Sequence, residues 1–139
     1  MRVVATLGAF FFGLTAHVYA QYGQSQLNLI ASKWQFGAFK CSAEVVTTGG
    51  LPFTGTSGAN RYWGKLFYKC PDRAVSPSED VSFYVDEKRH FHLDGTMVWN
   101  ATDWEVDHID GVLSEDGQSI SGTIGDKKTR EQVLLNRKQ

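Results

Sequence analysis

The chain of 139 residues has only two cysteines, three prolines and two methionines, and past its first twenty positions it has no long apolar run. Each scarcity excludes something. Two cysteines allow one disulfide and no larger framework. With no second run approaching the roughly 20 apolar residues of a membrane span, no spanning helix is expected after the N-terminal segment. Apolar residues nowhere recur at helical spacing over about eleven positions, which argues against a helical fold. There is no G-x-S-x-G, H-E-x-x-H, P-loop, G-x-G-x-x-G or paired C-x-x-C, so no catalytic residue or cofactor can be named from a motif. Charge of one sign is lacking too. The chain has 14 basic and 15 acidic residues, without the basic stripe that nucleic acid requires.

What is present begins with an address. Arg2 gives a minimal positive start, Val3 to Ala16 is almost wholly apolar, and Val18-Tyr19-Ala20 places small residues at −3 and −1 of a cut before Gln21. Residues 1–20 therefore read as a signal peptide, and the protein as secreted or periplasmic. Residues 21–32 read as a flexible polar lead-in, and 33–139 as a single β-rich domain. The signal contains Arg2 alone among charged residues, so the rest carries a formal −2. An oxidising compartment lets Cys41 and Cys70 pair, which the chain-entropy model values at roughly 3.6 kcal/mol.

The body of the chain alternates with period two. Trp34, Phe36 and Ala38 alternate with polar or small residues, and Ala43 to Thr48 is β-branched. Gly49-Gly50 reads as a tight turn. Residues 51–60 read as a surface loop or poor edge strand, with Pro52 opposing a central position. Trp34-x4-Phe39-Lys40-Cys41 repeats as Trp63-x4-Tyr68-Lys69-Cys70, which suggests two similar strands stapled at their ends. After a connector over 71–80, Val81, Phe83 and Val85 alternate. The turn Asp86–Arg89 follows, and Phe91, Leu93, Met97 and Trp99 fall on one face of the returning strand.

Asp116-Gly117 is a type I′ turn signal. Centred there, the register puts Leu113 opposite Ile120, Gly111 opposite Gly122, and Ile109 opposite Ile124, with all four large apolar residues on one buried face. The opposed glycines leave a gap for a tryptophan or a ligand. Val133 and Leu135 mark a last strand. About eight antiparallel strands in sequential hairpins suit a small barrel, or a two-sheet sandwich, with one disulfide.

Several residues could carry chemistry. His90 and His92 share a strand face with Asp94, the beginning of a metal site that lacks further ligands. In extended conformation Asp103, Glu105 and Asp107 share one face, with Trp104, Val106 and His108 on the other. Such carboxylates serve a cation or glycoside hydrolysis, or else a solvated face. Asn100-Ala101-Thr102 is a glycosylation acceptor if the host is eukaryotic. Trp63, Trp99 and Trp104 are the candidate ligand-binding residues.

The stretch Tyr62 to Gly125 resembles small exported bacterial proteins of unknown function. It shares their W-G-x-L-x-x-x-C strand, here Trp63-Gly64-Lys65-Leu66 through Cys70, and the hairpin over Ile109 to Thr123. In overall plan the chain resembles lipocalin-like and avidin-like barrels, with Ser32-Lys33-Trp34 where a lipocalin has G-x-W. The expectation is an exported, non-enzymatic binding protein for a small molecule, glycan or protein. The alternatives are an extracellular hydrolase using 103–108, and a structural or inhibitory protein acting through the 49–60 loop.

Overall fold

The computed structural model describes residues 32–51 and 59–138. The expected signal peptide, nearly all of the expected lead-in, and residues 52–58 of the expected surface loop lie outside the described residues. Eight strands follow one another: β1 Lys33–Ala38, β2 Cys41–Leu51, β3 Ala59–Lys69, β4 Ser78–Asp86, β5 His90–Trp99, β6 His108–Leu113, β7 Ser119–Gly125 and β8 Arg130–Lys138. Each pairs antiparallel with the next, and β8 returns to β1, so the sheet closes as an up-and-down barrel. Closure removes every free edge, which decides between barrel and sandwich. Among the described residues no helix is long and apolar enough to cross a membrane.

Period-two burial drives the closure. Trp34, Phe36 and Ala38 of β1 point inward between exposed neighbours. Val45, Leu66, Val81, Phe83, Val85, Phe91 and Leu93 continue the lining, and Ile109, Leu113, Ile120, Ile124, Val133 and Leu135 complete it. Eight strands give an interior just wide enough to be filled by side chains. Trp34 is the one tryptophan in this core; its indole N–H donates to Ser32 Oγ at 3.1 Å, and Ser32 Oγ lies 3.0 Å from Thr47 Oγ1. Ser32, just before β1, is thus buried.

The β6–β7 hairpin has the register expected of it: Leu113 opposes Ile120, Gly111 opposes Gly122 and Ile109 opposes Ile124. Its turn is of another kind. Gly117 has φ 72° but Asp116 is not left-handed, so a type I′ turn is ruled out. Gly117 N–H donates to Ser114 O at 3.0 Å, and the Ser114 and Asp116 side chains accept the amides of Gln118 and Ser119. The four-residue loop 115–118 preserves the pairing that a two-residue loop at 116–117 would give, which is why the register survives. The glycine pair leaves no gap for a tryptophan. A β-carbon on Gly122 would sit 1.9 Å from Asp110 O, so close approach of the strands themselves demands glycine.

Three further expectations are corrected. Gly49 and Gly50 do not turn; they lie within β2 opposite Trp63 and Tyr62, whose rings cover them. The Trp-to-Cys repeat has no structural counterpart, because Trp34 is buried and Trp63 faces outward, and β1 and β3 flank β2 from opposite sides. Met97 and Trp99 do not join Phe91 and Leu93 in the core. A β-bulge shifts the β4–β5 register between Asp80 and Val81, so that Asp80 faces Met97 while Val81 faces Gly95. One extra residue reverses the phase of everything after it. The Cys41–Cys70 disulfide is present, tying the start of β2 to the residue after β3.

Candidate functional site

At one end of the barrel lie the turn after β1 and the loops after β3, β5 and β7. Here the inward positions stop being apolar. Tyr68 follows Tyr62 and Leu66 in phase on β3, Glu79 precedes Val81 and Phe83 on β4, and Asp107 stands two residues before Ile109. The three meet. Tyr68 Oη donates to Asp107 Oδ2 at 2.6 Å, and the Asp107 backbone N–H donates to Glu79 Oε1 at 2.7 Å. Trp104 Nε1–H spans the pair, 3.3 Å from both Glu79 Oε2 and Asp107 Oδ2. Glu79 is 0% exposed and Asp107 3%.

Two buried carboxyl groups in contact cannot both ionise cheaply. Burial, then the hydrogen bond to Asp107 and its negative charge, push the Glu79 carboxyl up to about 9. Burial and the same Asp107 charge push the Tyr68 phenol well above its ordinary value. Space for Glu79 comes from Gly95, where a β-carbon would fall 2.2 Å from Glu79 Oε1. Gly95 N–H also donates to Asp107 O at 2.8 Å, fixing the start of β6 beside the bulge.

Above this cluster sits a cavity of about 240 Å³ lined by Phe39, Trp104, Thr129 and four carboxylate residues, Asp103, Glu105, Asp107 and Asp126. Phe39 reaches it from a two-residue turn in which both Phe39 (φ 55°) and Lys40 (φ 60°) are left-handed. For residues with a β-carbon that conformation costs roughly 1–2 kcal/mol each. The ring is held over the barrel end by an edge-on contact with Trp104 at 5.9 Å, and the Phe39 amide donates to Glu131 Oε1 at 2.7 Å. Trp104 also packs on Tyr68 at 4.8 Å. Arg73, from the loop after β3, stacks over Trp104 at 5.5 Å and binds Asp103 through both terminal nitrogens, at 2.6 and 3.1 Å.

Residues 100–107 form an irregular loop, not an extended strand. The two expected faces are therefore absent: Asp103, Glu105 and Asp107 line one cavity together with Trp104, while His108 leaves for the outer wall. There His108 Nδ1 lies 2.6 Å from Asp94 Oδ1, and His92 contacts both Asp94 and Asp110. Arg130 closes this ion-pair lattice at Asp110, 2.7 Å away. His90 turns to Asp86 instead, so the His90/His92 pair is divided between carboxylates. Among the described residues no group of three or more His, Cys, Asp or Glu is placed to hold a metal.

No family model, curated protein or solved structure matches the chain.

The candidate tryptophans separate. Trp104 belongs to the barrel end. Trp63 and Trp99, 46% and 47% exposed, lie on the outer face of β3 to β5 with Phe67 and Met97. Lys65 lies between Trp99 and β4: its Nζ lies 2.6 Å from Asp80 Oδ1 and 5.7 Å from the centre of the Trp99 ring. Lys65 first, then the Trp99 side chain, hold the Asp80 carboxyl below its usual range. Asn100 is exposed in a left-handed conformation just beyond β5. Tyr68 is one of the aromatics that could line a ligand site from sequence alone; Glu79 is not signalled by type, and its only signal is that it continues the inward phase of β4 by one step.

Proposed function

We propose that this is an exported, non-enzymatic binding protein that takes a small ligand at the barrel end beneath the Phe39 turn and the 100–107 loop. The observation that carries the reading is the cavity of about 240 Å³, walled by Trp104 and Phe39 and with Asp107 in its lining, at the end of a barrel whose interior is packed with apolar side chains. A concave site with aromatic walls and a few fixed polar groups is the usual construction for a small ligand. The leader sequence and the disulfide support export to an oxidising compartment.

Binding is preferred to hydrolysis for a geometric reason. The upshifted carboxyl that general acid catalysis needs is Glu79, yet it has no exposed surface and stands behind Trp104. Asp107 Oδ2 is occupied by Tyr68 and Trp104. A second reading, a protein partner docking on β3 to β5, is favoured by the half-exposed Trp63, Phe67, Met97 and Trp99, since aromatic residues and Met are enriched at interfaces.

A fragment screen followed by amide and indole NMR separates them. Hits that shift the Trp104 indole support the barrel-end site. Hits that shift Trp63 and Trp99 while leaving Trp104 unmoved would transfer the function to the outer face.

A further inference from the structure

The charge inventory of the cavity is unbalanced. Of its four lining carboxylate residues only Asp103 has a cation, Arg73. No Lys, Arg or His among the described residues lies within ion-pair distance of Glu105, Asp107 or Asp126; Lys128 acts on Asp126 only at longer range. Glu105 is exposed to solvent, and Asp126 Oδ1 accepts the amides of Lys128 and Thr129 at 2.7 and 2.8 Å. Asp107 is different, because it is 3% exposed and its contacts are Tyr68, Trp104 and Glu79, none of them cationic. A buried carboxylate without a counter-ion is costly, and one facing a cavity is positioned to receive a cation from outside.

The walls suit the same guest. Phe39 and Trp104 meet at 82° with centroids 5.9 Å apart, forming two sides of an aromatic box. Ring faces attract cations, Trp most strongly. The molecule already performs this recognition once: the Arg73 guanidinium stacks on Trp104 while a carboxylate, Asp103, neutralises it. Arg73 does not line the cavity, whose lining instead includes Asp126 and Thr129 of the loop after β7.

We propose that the cavity binds a small organic cation, an ammonium or quaternary amine, seated against Trp104 and Phe39 with the Asp107 carboxylate as counter-ion. The inference rests on the barrel-end binding reading and specifies its ligand. It carries a coupling: a positive charge beside Asp107 favours ionisation of the adjacent Glu79, and by reciprocity ionised Glu79 tightens the cation.

The test is an NMR titration of the folded, disulfide-bonded protein with three probes of similar size at constant ionic strength: tetramethylammonium, neutral tert-butanol and anionic pivalate. Tetramethylammonium is expected to shift the Trp104 indole and the Phe39 amide saturably, and to lower the Glu79 titration midpoint. Its affinity is expected to fall at least about tenfold in Trp104→Leu and in Asp107→Asn; a rim variant, Asp126→Asn, gives a smaller loss if either of those fails to fold. Equal saturation by tert-butanol would overturn the cation inference while leaving a binding site. So would tetramethylammonium shifts that never saturate or that persist unchanged in Trp104→Leu. Silence from all three probes would overturn both the inference and the site.

Discussion

The β6–β7 hairpin and the loop that precedes it are adjacent in the chain and opposite in character. In the hairpin every inward position is apolar or glycine, and pairing partners are fixed by the strands alone. In the loop, the inward Asp107 is polar, and its partners Tyr68 and Glu79 come from strands 28 to 39 residues away. The first region gains stability from burial, which is insensitive to pH. The second depends on a proton retained by Glu79. The barrel thus has an apolar wall that holds it together and one polar end whose stability is linked to pH.

The comparison can be broken or sharpened by substitution. Ile124→Ala removes a fully buried side chain from the wall and is expected to cost about 3 kcal/mol by urea denaturation, equally at pH 5 and pH 8. Asp107→Ala, at the polar end, strips Tyr68 and Trp104 of an acceptor and is expected to cost about 2 kcal/mol. It should also bring the Glu79 midpoint down toward its ordinary range, read by side-chain carbonyl NMR.

Glu79→Gln tests the proton. Folding raises this carboxyl from 4.5 to about 9, so the stability it contributes is complete below about pH 4.5 and is lost as pH rises through about 9. Stability of the unmodified protein should fall across that window, by at most about 1.4 kcal/mol per pH unit from this group. Glutamine keeps an acceptor for the Asp107 amide without a titrating proton. The variant is therefore expected to show a flatter profile and to overtake the parent by on the order of 1–2 kcal/mol between pH 6 and pH 8. Identical slopes in the two proteins would contradict a retained proton. The smallest expected effect is at the strained turn: Lys40→Gly relieves a left-handed residue on the surface and should raise stability by about 1 kcal/mol in thermal melts.

The sequence made the barrel readable because burial in a closed antiparallel sheet has period two, and Ile109, Leu113, Ile120 and Ile124 display it without interruption. Reading failed where one residue was inserted. The bulge opposite Asp80 sends Met97 and Trp99 outward, and alternation alone cannot reveal an extra residue. Turn geometry was also misread at Gly49-Gly50, where glycine makes room for facing rings. The site was legible only in part. Trp104 and Asp107 stood out as types, but the inward phases of Tyr68, Glu79 and Asp107 had to be extended past the apolar stretches that defined them. Their meeting depends on the closure of the barrel, which brings β3, β4 and the start of β6 to one end and which no local pattern encodes.

A carbon-13 NMR titration of the Glu79 side-chain carboxyl in the folded protein addresses the polar end without any substitution. The expected midpoint is about 9, with the Trp104 indole resonance moving in the same step. A midpoint near 4.5 would mean that Glu79 is solvated, that no proton is held against Asp107, and that the barrel end is not built as described.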